Sequence, residues 1–273
     1  MLVEVEQALL NDTPRMGITV DLVKCFNQIP RIPILCAMQN LGIPWQYTTA
    51  LHSMFLQLRR VLELSGEIGD EWDSTTGVPE GCAMSLVAMM SLTVWATQHI
   101  LVQAQSTDVC CLAYADNWAV ITSALEQLDK AVSALPDLVR LLRMRIAPDK
   151  SWTWATHTKQ RRELKEIHID GTTVPMKLMG TELGCDMSYC RKVSKKVSQK
   201  RIGKAVRVLK RVGKRVMPTS FKNRMAKQLV AGITGYGSEL VYHTPSDLRT
   251  LRTATCAAMG RSRAGNNHIS RRM

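Results

Sequence analysis

Short β-branched runs and longer stretches of helical spacing alternate along this chain. "GITVDL" (17–22) is entered through Gly17 and reads as a strand ending at Asp21. "CFNQIPR" follows as a turn or short helix, stopped by Pro30. "IPILCAMQNLG" (32–42) and "IPWQYTTALHSMFLQLRR" (43–60) carry apolar residues at helical spacing, which predicts two helices with Gly42 as the C-cap between them. "VLELSGEIGDEW" (61–72) alternates about Ser65-Gly66 and predicts a hairpin. A Gly/Pro-punctuated loop, "TTGVPEGCAMS", leads into an apolar helix over 84–101. The apolar run at its start (83–96) is 14 residues long and includes Ser and Thr, too short to span a bilayer, so it reads as a buried helix. A hairpin over 109–122 comes next, then a helix of roughly 124–143, then a turn and a strand. Trp152 and Trp154 stand at alternate positions of that strand, and the expectation is that only one of them faces the core. After a hairpin-like 165–184 the chain turns basic and helical to about 230, and the remainder is helical with breaks. This order predicts an α+β fold, an antiparallel sheet with helices on one face, over 1–186, followed by a helical region over 187–273.

Composition and charge sharpen that division. The chain has 273 residues, 45% hydrophobic with 5% aromatic, which excludes a disordered protein. Residues 1–150 hold 10 Lys/Arg against 16 Asp/Glu, a net charge of −6, whereas 151–273 hold 26 against 7, a net of +19. An acidic half suits metals or catalysis, and a strongly basic half suits a polyanion. The 8 cysteines include no CxxC pair and no zinc-ligand spacing, and the 6 histidines form no cluster. Free thiols in apolar runs point to a reducing compartment, nucleus or cytoplasm, and no signal peptide is read at the N-terminus.

Two carboxylates carry the candidate chemistry. Asp21 ends a strand and Asp116 sits at a hairpin tip, with no cation near in sequence except Lys24. If the two strands are neighbours, the anions converge at one sheet edge and repel in a partly dry site. A hard divalent cation resolves this, and Mg²⁺ suits one or two carboxylates plus substrate phosphates. The plainer alternative is that Asp116 and Asn117 are good turn residues.

Five motifs in order give this a family context. "VDLVKCFNQIPR" (20–31) resembles the first catalytic motif of reverse transcriptases, and "GVPEGCAMS" (77–85) resembles their second. "YADN" (114–117) looks like the third, usually Tyr-Ala-Asp-Asp; "IAPDKS" (146–151) resembles the fourth, and "MKLMGTELG" (176–184) the primer-grip segment. The likeness is strongest to enzymes of non-long-terminal-repeat retroelements and group II introns, whose thumb "GYGSEL" (235–240) also resembles. The resemblance implies a polymerase palm followed by a basic helical thumb, and two-metal, RNA-directed addition of deoxynucleotides to a primer 3′-OH. It implies Asp21 and Asp116 as catalytic metal ligands, joined by the Leu22 carbonyl and by Asn117, with Mg²⁺ or alternatively Mn²⁺ as cofactor. Lys150 would stabilise or protonate the leaving pyrophosphate. Phe26 would be a steric gate against a ribose 2′-OH, which argues against an RNA-dependent RNA polymerase. Gly77, Glu80 and Gly81 would line the nucleotide, and Met179 and Gly180 would form the primer grip. The implied partners are an RNA template, a DNA primer and dNTPs.

Between 191 and 227 stand 15 Lys/Arg and no Asp or Glu. Ile202, Val206, Leu209, Val212 and Val216 recur at three and four, so an apolar stripe backs a cationic face. Lys195, Lys196, Lys200, Arg201, Lys204, Arg207, Lys210, Arg211, Lys214 and Arg215 are the expected phosphate contacts. Three departures from the family pattern support a second reading, a catalytically inactive nucleic-acid-binding descendant. Asn117 stands for the usual second Asp, Glu80 stands for the usual Gln, and the basic fingers expected upstream of Asp21 are largely absent. On that last ground the chain is expected to be a fragment of a retroelement reading frame.

Overall fold

The computed structural model describes residues 1–164, 167–169, 171–192, 194–236 and 243–260. Most of the thumb-like "GYGSEL" therefore lies outside the described residues. Two compact units divide the chain, Met1–Leu178 and Met179–Met273. The boundary expected from the sequence lies later, after residue 186.

The first unit opens with α1 (Leu2–Leu10) and β1 (Met16–Asp21), followed by the short helices α2 (Cys25–Gln28), α3 (Arg31–Asn40) and α4 (Trp45–Leu56). Two nested two-residue ladders come next: β2 (Arg59–Arg60) pairs with β5 (Trp72–Asp73), and β3 (Glu63–Leu64) with β4 (Glu67–Ile68). Ser65 and Gly66 turn the inner pair with φ of 56° and 87°, as a two-residue hairpin loop with both central φ positive requires. α5 (Ala83–Ala104), β6 (Cys110–Tyr114), β7 (Asn117–Thr122), α6 (Leu125–Leu141) and β8 (Trp152–Ala155) complete the framework. α7 (Thr158–Glu163) and the hairpin β9 (Ile167–Ile169)–β10 (Thr172–Val174) close the unit.

The sheet is antiparallel, in the order β6-β7-β1-β8. All six β1 residues are buried, so the strand lacks the apolar/polar alternation of a one-sided strand. Met16, Ile18 and Val20 share a face with Trp118 and Val120, and their side chains join the core built with α3, α5 and α6. α5 is long and apolar enough to cross a membrane by length and composition, but Ala88, Met89, Leu92, Ala96 and Ile100 are buried in this core, as expected of a core helix.

Gly17, Thr19 and Asp21 lie on the opposite face of β1, beside Trp154 and Trp152. Both tryptophans are buried, at 0% and 5% exposure, which corrects the expectation of only one. Residues two apart in a strand share a face, so a covered face takes both. Gly17 makes room for this: a Cβ there would lie 2.3 Å from the Val120 carbonyl oxygen and 2.8 Å from the Trp154 ring.

The second unit joins a hairpin, β11 (Met179–Glu182) and β12 (Cys185–Ser188), to three helices, α8 (Lys196–Lys214), α9 (Thr219–Gly235) and α10 (Pro245–Ala258). α8 packs on both α9 and α10 around Leu209, Ala226 and Ala258. Gly213 permits the α8–α10 approach, since a Cβ on it would meet the Ala258 Cα at 3.0 Å.

Candidate active site

Strand register decides which groups meet at the end of β1. Asp21 pairs directly with Asn117, the first residue of β7, which in turn pairs with Tyr114 at the end of β6. Directly opposed residues share a face, so Asn117 is the cross-strand neighbour of Asp21. Asp116 stands one residue earlier, in the two-residue turn, where Ala115 takes a left-handed φ of 54°. A non-glycine residue there carries backbone strain of order 1–3 kcal/mol.

Asp21 is buried, and burial raises its pKa above the ordinary value of 3.8; Lys150 opposes the rise, while Asp116 and then Asp149 add to it. Behind it, the buried Cys25 thiol is pushed up to about 12, first by burial and then by the charges of Asp116 and Asp21. Both carboxylates therefore act on the Cys25 thiol.

The segment before β8 folds back onto Asp21. The Ala147 N–H donates to the Asp21 carbonyl (2.9 Å), and the Val23 N–H donates to the Arg145 carbonyl (2.9 Å). These bonds flank the Leu22–Ile146 bridge. In an antiparallel ladder such a wide pair turns the Leu22 carbonyl away from Ile146, towards the β7 side. The Asp21 N–H donates to Ser151 Oγ (3.1 Å), the Lys150 N–H donates to the Ala147 carbonyl (3.2 Å), and Lys150 Nζ reaches Asp21 Oδ1 at 3.4 Å.

The loop before α5 is stapled to α2 and α3. Val78 N–H donates to the Phe26 carbonyl (2.7 Å) and Gly77 N–H to the Ile29 carbonyl (2.9 Å). Arg31 was not singled out from the sequence. Its guanidinium is buried and donates to the carbonyls of Gly77 (2.8 Å), Phe55 (2.6 Å) and Thr76 (3.3 Å) and to Ser74 Oγ (3.1 Å). A buried cation satisfied by carbonyls and a hydroxyl acts as a clamp on this loop; Arg31 ends the first motif, but its partners lie far away in sequence. Gly77, at φ 74°, has its close approach with protein rather than open space, because a Cβ would sit 2.5 Å from the Asn27 carbonyl oxygen. Gly81, at φ 82°, has nothing within 4 Å of that position. Phe26 is half-buried against the core. Glu80 is exposed and accepts from Asn27 Nδ2 (3.0 Å), while Arg60 donates to Asn27 Oδ1 (3.2 Å), so an amide relays the Glu80 carboxylate to a cation.

In the second unit, Met179 and Gly180 pair with Ser188 and Met187. Leu183 and Gly184 form the tip, with φ of 46° and 75°. Buried Asp186 accepts from Ser194 Oγ (2.9 Å) and from the N–H groups of Val197 (2.8 Å) and Ser198 (3.1 Å), capping α8 from the hairpin. Winding at about 100° per residue sets Lys196, Lys200, Lys204, Arg207, Lys210, Arg211 and Lys214 within a sector of about 120°. All seven are exposed, and Ser198, Ile202, Ala205, Leu209 and Val212 are buried on the far side. Lys195 occupies the N-cap position at the helix start and exposed Arg215 the position just past its end. Arg201 falls outside the stripe. It stacks on the Tyr236 ring (4.6 Å), donates to the carbonyls of Gly184 (2.9 Å) and Tyr236, and so braces the hairpin tip, to which Tyr236 Oη also donates at Leu183 (2.8 Å).

Residues 2–183 match the family model described as reverse transcriptase (RNA-dependent DNA polymerase). The chain belongs to the reverse transcriptase family. No curated protein matches it in sequence. Apo telomerase from Candida tropicalis is similar in structure (TM-score 0.54, 13% identity, covering 94% of this chain and 43% of that one). So are the C. tropicalis telomerase in complex with a TWJ fragment of telomeric RNA (TM-score 0.52, 13%, 95% and 46%) and its Candida albicans counterpart (TM-score 0.50, 8%, 94% and 46%). At such identities the likeness is one of fold: an antiparallel sheet with helices, as in the polymerase core of these enzymes. The chain spans under half the length of each of these telomerase chains.

The family generally uses divalent metal ions. Among the described residues no group of three or more His, Cys, Asp or Glu gathers. The donor set fits Mg²⁺ nonetheless, because that ion is commonly held by one or two carboxylates, waters and substrate phosphates rather than by an all-protein cage. A buried carboxylate kept under the field of two others and partnered by a lysine is a site short of positive charge.

Proposed function

We propose that this reverse transcriptase chain is an RNA-directed DNA polymerase in which unit one acts as palm and unit two as thumb. The observation that carries this reading is the register that sets Asp21 beside the Asp116–Asn117 turn with Lys150 in contact. Asp21, Asp116, the Leu22 carbonyl and the Asn117 amide oxygen would hold Mg²⁺, or Mn²⁺ in its place. Bound there, two such ions would lower the barrier to attack by a primer 3′-OH and offset charge on the departing pyrophosphate. Phe26 offers no hydrogen-bonding group to a 2′-OH, which favours deoxynucleotides. Gly81 leaves open space for a nucleotide, whereas Gly77 serves by fixing the loop. Lys150 supplies positive charge, or a proton, to the leaving group. Met179 and Gly180 place the primer end. The α8 stripe contacts phosphates without reading sequence, and an RNA-bound relative of the same fold supports an RNA template as partner. The retroelement or group II subtype and a nuclear or cytoplasmic location rest on the motifs and the free cysteines.

Primer extension on an RNA template with dNTPs, in Mg²⁺ and in Mn²⁺, tests this. Extension is expected from the parent and is expected to vanish in Asp21→Ala and Asp116→Ala, while Asp116→Ala keeps its RNA affinity or gains slightly. Equal extension in parent and variants would remove the site assignment. Asn117 and Glu80 favour a second reading, an inactive nucleic-acid-binding descendant, which predicts salt-sensitive RNA binding with no extension under either ion.

A further inference from the structure

Lys150 is built into the site rather than resting near it. Its own N–H is tied to Ala147, and Ala147 is tied to the Asp21 carbonyl. The next residue, Ser151, takes the Asp21 N–H on its hydroxyl. The backbone on both sides of Lys150 is therefore fixed to the residue whose carboxylate its ammonium meets at 3.4 Å. The side chain itself is open to solvent: it is 63% exposed, whereas that of Asp21 is 11% exposed. Lys177, the nearby alternative cation, is engaged elsewhere, donating to the Asp149 carbonyl (3.4 Å) and lying over the Trp152 ring (4.8 Å). Directly across from Asp21 stands neutral Asn117, so Asp21 meets one solvent-exposed positive charge and no directly opposed negative one.

We propose that the Lys150 ammonium is the resident counter-cation of Asp21, holding the place of a metal ion until nucleotide arrives and being displaced when the ion binds. This rests on the reading of Asp21 as a metal ligand. Physically, an ion entering alone must separate an existing pair, which weakens its binding to the free protein. With triphosphate present, the released ammonium finds a new anion, so ion and nucleotide favour one another. Asn117 makes the arrangement workable, because a second Asp would leave one lysine facing two opposed carboxylates.

Mn²⁺ alone, titrated into the full chain without nucleotide or nucleic acid and read by the electron paramagnetic resonance of the free ion, tests this. Lys150→Met is expected to bind Mn²⁺ about tenfold more tightly than the parent. Lys150→Arg, which keeps the charge, should stay within about threefold of the parent, as should Lys177→Met, which removes a neighbouring charge not paired with Asp21. An unchanged or weaker affinity in Lys150→Met overturns the proposal, as does no measurable binding in both parent and variant. Asp21→Asn separates the two layers. If it abolishes Mn²⁺ binding while Lys150→Met brings no gain, only the counter-cation idea fails. If Mn²⁺ binding survives Asp21→Asn undiminished, the metal-site reading fails with it.

Discussion

Asp21 is held in a state that costs the fold something. Its carboxylate is buried and feels Asp116 and Asp149, and one solvent-exposed lysine opposes them. Its folded-state pKa is raised, so the folded chain holds this proton more tightly than the unfolded one. Stability from this group is therefore greatest below the ordinary value of 3.8 and falls as pH rises through it to the raised value. In metal-free buffer, Asp21→Asn is expected to melt at a higher temperature than the parent at pH 7, with the gap closing below pH 3.8. Thermal melts across pH, with chelator, check this; a variant less stable at neutral pH would show that the pair with Lys150 outweighs the burial. The motif made Asp21 and Asp116 legible as a pair. It could not show that Asn117, not Asp116, sits directly opposite Asp21, because register depends on where the turn falls between β6 and β7. Nor could it show the role of Arg31, an arginine whose backbone partners are carbonyls from two segments, the end of α4 and the loop at Thr76–Gly77.

At the scale of elements, periodicity located the sheet and its helices, since β-branched runs and three-four spacing are local properties. Which glycines serve packing is not local. Gly203 and Gly213 both stand inside the unbroken α8, and the sequence treats them alike. Yet a Cβ on Gly213 would strike the Ala258 backbone at 3.0 Å, whereas one on Gly203 would meet nothing within 4 Å. Gly203 also lies inside the cationic sector, on the open side of the helix. Gly203→Ala is expected to stabilise the chain by about 1 kcal/mol, raising the melting temperature by about 2–4 °C. Gly213→Ala should lower it, because α10 must shift by several tenths of an ångström to admit the methyl. Differential scanning calorimetry of the two variants distinguishes them, and a rise in both would mean that the α8–α10 contact is looser than the geometry implies. The tryptophans of β8 teach the same lesson from another side. Spacing says that Trp152 and Trp154 share a face, and only the tertiary structure says that this face is covered.

The charge asymmetry follows the two units: the first carries the candidate metal-binding carboxylates Asp21 and Asp116, and the second presents seven cations on one helix stripe. Such a stripe binds phosphate chiefly by counterion release, so affinity should fall steeply with salt. With six or more stripe cations engaged, RNA–DNA duplex binding is expected to drop by about 10³-fold or more between roughly 50 and 200 mM monovalent salt. Lys200→Ala, Lys204→Ala and Arg207→Ala should each reduce the slope of log affinity against log salt by about 1. Arg201→Ala should leave that slope unchanged, because its guanidinium is spent on Gly184, Tyr236 and the Tyr236 ring. Its loss should instead loosen the hairpin tip, read as faster amide exchange at Leu183–Glu182 and neighbouring β11 residues. The sequence groups Arg201 with the expected phosphate contacts, since a run of like charges does not reveal which member is engaged by the hairpin tip. A slope that falls by the same amount for Arg201→Ala as for Lys204→Ala would return Arg201 to the nucleic-acid face and leave the hairpin braced by Asp186 and Tyr236.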